Sequence, residues 1–173
     1  MTIYITSLAD MPSLVRRFGV RDLVSIIQPD AQPATPPEVG PERHYRCPVD
    51  DIVEPRPGEV LPQTNHVDEL ITFLRTWDGE APLLTHCHAG ISRSSAVALI
   101  AHVLQTGNPA KSAKALRRAS RYASPNRRIV ALADSIMGFD GALVHARENM
   151  GAPIWQTDPD YVKEPGRFTA LDV

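Results

Sequence analysis

The chain has 173 residues, enough for one domain with a substantial buried core. Its 43% hydrophobic and 22% charged residues are those of an ordinary soluble globular protein, and a formal net charge of −2 gives no global attraction to nucleic acid or membranes. Two cysteines, Cys47 and Cys87, make no disulfide framework, and no apolar run reaches membrane-spanning length. Met1-Thr2-Ile3-Tyr4-Ile5 lacks the basic start and long apolar core of a signal peptide, so the expected location is cytoplasmic.

In chain order, residues 2–6 read as a strand, residues 8–18 as a short helix and residues 23–27 as a second, buried strand. The proline-rich stretch 29–41 has to be a long loop, either shaping the rim of a site or passive on the surface. Residues 45–49 read as extended, with Pro48 ending their pairing. Val67, Leu70, Ile71, Leu74 and Trp77 follow helical spacing, predicting an amphipathic helix over 62–77. Residues 82–85 then read as a short buried strand and residues 95–104 as a buried helix. Asn108 and Pro109 suit the N-cap and first turn of another helix, as do Ser124 and Pro125 of the next, which carries Ile129, Leu132, Ala133 and Ile136 on one face. Residues 139–150 extend that helix or form one more. Early strands alternating with helices, then a helical second half, predict an α/β fold: a mostly parallel four- to five-stranded sheet with helices on both faces. The whole of 1–173 is expected to be one domain, with 152–173 as a tail in which Ile154 and Trp155 dock back and the end frays.

The most informative stretch is His86-Cys87-His88-Ala89-Gly90-Ile91-Ser92-Arg93-Ser94, between the predicted strand end and the buried helix. Only a thiolate is a strong nucleophile, and a helix N-terminus together with Arg93 favours it at Cys87. Five residues between Cys87 and Arg93 let the backbone N–H groups of His88, Ala89, Gly90, Ile91 and Ser92 curl around a tetrahedral anion. Gly90 permits the sharp turn, and the planar fork of Arg93 matches two anion oxygens. Ser94 can donate a hydrogen bond to the Cys87 sulfur, and His86 can order the loop from behind.

The pattern His86-Cys87, five residues, Arg93-Ser94 resembles the signature of the cysteine-dependent protein tyrosine phosphatases. Ala89 to Ser94 is most similar to their dual-specificity branch. The resemblance implies a phosphatase-like three-layer sandwich, a protein phosphatase (hydrolase) activity through a phosphocysteine intermediate, and no metal or cofactor. It also implies an aspartate general acid after an upstream strand. Cys47-Pro48-Val49-Asp50-Asp51 matches the family's run, with Asp51 preferred as the acid and Asp50 as its neighbour, although a shift of one residue decides between them. Glu54-Pro55-Arg56-Pro57-Gly58 looks like an extra loop between acid and cysteine. Ser124-Pro125-Asn126 resembles a family element that props the active loops, which makes Asn126 a supporting residue. Cys47 is either a core residue or a protective disulfide partner of an oxidised Cys87.

The implied partner is a phosphorylated substrate, a phosphoprotein above all. The loop lacks the lysines of phosphoinositide-specific members, since His88 and Ile91 stand in that space. A non-catalytic phosphate-binding module, a phosphatase of inositol phosphates and a rhodanese-like sulfur carrier are the competing readings. Lys111, Lys114, Arg117, Arg118, Arg121, Arg127 and Arg128 form an acid-free basic run, in which Lys114, Arg117, Arg118 and Arg121 share one helical face. It is read as a solvated face more readily than as an anion-attracting one. Tyr122 is the single aromatic residue in the run, not the interleaving of aromatics with charges that nucleic-acid binding would require.

Overall fold

A computed structural model describes residues 1–158 and 169–173. Five strands form one sheet: β1 (Thr2–Ser7), β2 (Asp22–Ile27), β3 (His44–Pro48), β4 (Leu83–Cys87) and β5 (Thr169–Asp172), in the order β3-β2-β4-β1-β5. The first four pair in parallel and β5 runs antiparallel to β1. The predicted α/β architecture is therefore what forms. The C-terminal end does not fray, because Thr169–Asp172 adds an edge strand with Ile3 opposite Leu171. Ile154 is buried at the start of a single helical turn, so that part of the tail docks as expected.

Alternation along the strands separates two layers. Leu23 of β2 and Leu84 of β4 face helix α1 (Met11–Phe18), packing with Met11, Leu14 and Val15. Val24, Ile26, Leu83 and Cys87 face the larger core on the opposite side. That core is filled by α2 (Thr64–Leu74), α3 (Arg93–Thr106), α4 (Pro109–Ala119), α5 (Arg127–Met137) and α6 (Ala142–Glu148). Helix α3 is buried on all sides from Arg93 to Val103, which explains its weak amphipathic pattern. Each fully buried Leu or Ile there contributes about 2 kcal/mol of transfer free energy. Among the described residues, no helix is long and apolar enough to cross a membrane.

Two local expectations change. Helix α5 begins after Asn126, whose side-chain oxygen accepts from Arg128 N and Ile129 N, so Asn126 is the N-cap and Ser124-Pro125 precedes it. The basic face predicted on α4 is also smaller, because the helix stops at Ala119, before Arg121. Arg117 folds inward and donates to the carbonyls of Met150, Ser120, Ala123 and Gly151. Of its basic residues, Lys111, Lys114 and Arg118 stay exposed.

Candidate active site

The carboxyl ends of β2, β3 and β4 lie side by side, where open α/β sheets gather ligands. Cys87 ends β4 on the core side and is only 2% exposed, with its Sγ 3.2 Å from Ser94 Oγ. The loop from His88 to Ser92 is pinned from outside. Its carbonyls at His88, Ile91 and Ser92 accept from Leu8 N, Ser124 N and Asn126 N. A trans peptide points its N–H opposite its C=O, so the N–H groups of Ala89, Ser92 and Arg93 face the loop's interior.

Gly90 makes this closure possible. Its φ is +74°, and a Cβ there would lie 2.7 Å from the carbonyl carbon of Thr6. Both the left-handed backbone and the contact with β1 exclude a side chain. Gly90→Ala is expected to lower stability by about 1–3 kcal/mol and to open the loop, measured as urea unfolding alongside phosphate binding.

Arg93 occupies the first turn of α3 and is 5% exposed. Its Nη1 donates to Val49 O at 2.8 Å and to Gln28 Oε1 at 3.3 Å, so β2 and β3 together aim the guanidinium. Its Nε has no hydrogen-bond partner among the described residues and lies 4.0 Å from Asp51 Oδ2, beyond hydrogen-bond reach.

The two candidate aspartates diverge. Asp50 Oδ2 accepts from Val60 N at 2.7 Å while Asp50 N donates to Val60 O, closing the Glu54–Gly58 loop. Asp51 turns to the signature loop. Its Oδ1 accepts from Ser92 Oγ at 2.7 Å and from Asn126 Nδ2 at 2.8 Å, leaving Oδ2 on the Arg93 side. Asn126 can do this because its oxygen is committed to capping α5, which turns its NH2 toward Asp51. Asp51 keeps 38% of its side chain exposed, so an incoming molecule can reach it.

His86 is fully buried on the α1 side of β4, with its Nδ1 3.3 Å from the Cys87 carbonyl. Burial pushes it down from 6.5 to about 4, and burial does the same to His44 on β3. Burial pushes the Cys47 thiol up to about 12, consistent with a core residue, and Cys47 and Cys87 are both free thiols. Between pH 6.5 and 4 the unfolded chain takes up protons at His44 and His86 that the folded chain refuses. Their stabilisation is complete above pH 6.5 and is lost as pH falls toward 4. Urea unfolding across that window should show a decline on the order of 5 kcal/mol from the two rings together, and His44→Gln should remove about half of it.

The structure thus brings Cys87, Arg93, Ser94, Asp51 and Asn126 together with the loop from His88 to Ser92, and sets Asp50 aside. Gln28 and the Val49 carbonyl, which orient Arg93, were not legible in the sequence. Their only signal is position, just past the carboxyl ends of β2 and β3.

No protein-family model and no curated protein matches the sequence. Solved structures do match. Human DUSP28 aligns with a TM-score of 0.60 at 21% sequence identity, covering 81% of this chain and 94% of that chain. DUSP15 aligns at 0.61 with 21% identity, covering 86% and 89%. PTPMT1 in complex with PI(5)P aligns at 0.59 with 13% identity, covering 84% and 94%. The chain has the fold of the dual-specificity phosphatases. In this phosphatase fold, the loop from Cys87 to Ser94 lies at the carboxyl end of the central strand β4.

Proposed function

We propose that the chain is a cysteine-dependent phosphomonoester hydrolase that acts on phosphoproteins through a phosphocysteine intermediate. The observation that carries this reading is convergence: the Cys87 sulfur, the Arg93 guanidinium and the Asp51 carboxylate meet around one loop. In the reaction proposed, a phosphate dianion enters the loop and its oxygens take hydrogen bonds from inward N–H groups and from Arg93 Nε. These donors are fixed before substrate arrives, so they stabilise charge in the transition state without reorganising. The Cys87 thiolate attacks phosphorus, an S–P bond forms and the P–O bond to the leaving group breaks. Asp51 delivers a proton from Oδ2 to the leaving oxygen. Its carboxylate then takes a proton from the water that attacks phosphocysteine, and the S–P bond breaks. The Ser94 hydroxyl, 3.2 Å from Sγ, stabilises the departing thiolate.

The preference for a phosphoprotein rests on the loop's side chains. PTPMT1 has been solved with an inositol lipid, but His88 and Ile91 give this loop no added fixed cation for a multiply phosphorylated ring. A non-catalytic module is not favoured, because Cys87, Arg93 and Asp51 are all present beside the loop.

Hydrolysis of p-nitrophenyl phosphate by the wild type in reducing, metal-free buffer tests the reading. Turnover with competitive inhibition by orthovanadate is expected, with kcat/KM higher for phosphotyrosyl and phosphoseryl peptides than for inositol phosphates. Absence of hydrolysis across that panel would overturn it.

A further inference from the structure

On the α1 side of the sheet, opposite the Cys87 side chain, a row of polar groups crosses three parallel strands. His44 of β3, Ser25 of β2 and His86 of β4 are 6%, 0% and 0% exposed. Ser25 Oγ lies 2.7 Å from His44 Nε2 and 2.6 Å from His86 Nε2. His44 Nδ1 lies 2.9 Å from Thr35 Oγ1, which accepts from the exposed Arg46 Nη2 at 2.8 Å. At the other end His86 Nδ1 lies 3.3 Å from the Cys87 carbonyl oxygen.

The two ends dictate the direction of every proton between them. A carbonyl only accepts, so His86 carries hydrogen on Nδ1. Burial keeps both rings neutral at ordinary pH, so His86 Nε2 is an acceptor and takes the Ser25 proton. The Ser25 oxygen then accepts from His44 Nε2–H, and His44 Nδ1 accepts from the Thr35 hydroxyl. The Thr35 oxygen receives Arg46, which only donates. With neutral rings this is the assignment that satisfies all five contacts.

We propose that this row locks His86 in its Nδ1–H tautomer and that His44 and Ser25 are positioning residues for the Cys87 end of the loop. The consequence for catalysis rests on the hydrolase reading above; the lock itself does not. The Nδ1–H bond fixes the peptide following Cys87 and draws negative potential of its carbonyl away from the sulfur. Without His44, Ser25 is free to accept from His86 Nε2–H. The His86 Nδ1 lone pair would then face the carbonyl lone pairs, and the hold on the loop is lost. Thr35 gives the proline-rich loop a part in the row, since it brings the hydroxyl to His44.

The test is side-chain proton–nitrogen correlation NMR of the histidines, paired with alkylation of Cys87 by iodoacetamide over pH. In the wild type His86 should be the Nδ1–H tautomer and His44 the Nε2–H tautomer. In His44→Phe, His86 should shift toward Nε2–H, whereas in Ser25→Ala, which leaves Nε2 no acceptor, the bond to the Cys87 carbonyl should keep it Nδ1–H. In His44→Phe, Cys87 alkylation should slow roughly five- to tenfold at neutral pH, its profile displaced to higher pH, by the loss of about one hydrogen bond. His44→Gln, whose amide can still donate to Ser25, should restore most of the rate. The double variant should alkylate no more slowly than Ser25→Ala alone. A wild-type His86 in the Nε2–H form, an unchanged tautomer in His44→Phe, or additive effects in the double would overturn the proposal. A normal lock in a wild type that hydrolyses no phosphomonoester would instead sink the hydrolase reading alone.

Discussion

Replacing Cys87 with serine should reduce turnover of p-nitrophenyl phosphate by at least about 10⁴-fold while leaving inorganic phosphate binding within a few-fold of the wild type. The substitution exchanges sulfur for a smaller oxygen at a site only 2% exposed, so the loop has little reason to rearrange. What changes is ionisation, because a serine hydroxyl stays protonated where a thiol can be made a thiolate. Phosphate binding should survive because its proposed donors lie elsewhere, on the loop N–H groups and on Arg93, which Val49 and Gln28 hold in place. Steady-state kinetics and calorimetric titration with phosphate separate the two effects. A variant that loses binding as well would show that Cys87 supports the loop's shape, and one that keeps turnover within tenfold would remove the nucleophile from the account.

Asp51→Asn should lower kcat roughly 100- to 1,000-fold on substrates with poor leaving groups, and less on p-nitrophenyl phosphate, whose leaving oxygen needs little protonation. Asparagine is nearly the same size, and its oxygen can still accept from Ser92 and Asn126, so the loop should stay in place. Only the exchangeable proton is lost. Asp50→Asn is the control: the Asp50 carboxylate accepts from Val60 N, an asparagine oxygen can do likewise, and turnover should stay within a few-fold of the wild type. Kinetics of both variants across leaving groups decide the matter, and a larger loss in the Asp50 variant would reverse the assignment.

Much of this site could be read from the chain because its densest part is contiguous. His86 to Ser94 carries the proposed nucleophile, anion cradle and arginine within one strand–loop–helix unit, so spacing alone is informative. Asp51 was harder, since adjacent aspartates have the same composition and differ only in direction. The latch from Asp50 to Val60 separates them, and it depends on how the Glu54–Gly58 loop folds back. Ser124-Pro125 has the local look of a helix start, but Ser124 N is taken by Ile91 O and Asn126 provides the cap. Strand β5 is four residues long and pairs with the other end of the chain, too little for a periodic pattern to reveal. Ser25 and His44 sat unremarked in strands because neither belongs to a motif. Their meaning comes from the register of β3, β2 and β4, which is tertiary information.

The most direct measurement of the central claim is mass spectrometry of Asp51→Asn quenched during turnover. In that variant the proposed hydrolysis step, which would need the same carboxylate as a base, should slow and let the intermediate accumulate. The peptide containing Cys87 should then carry the added mass of one phosphoryl group, and the label should be missing from Cys87→Ser treated alike. Continued turnover with Cys87 never modified, or a phosphoryl group on another residue, would contradict the mechanism.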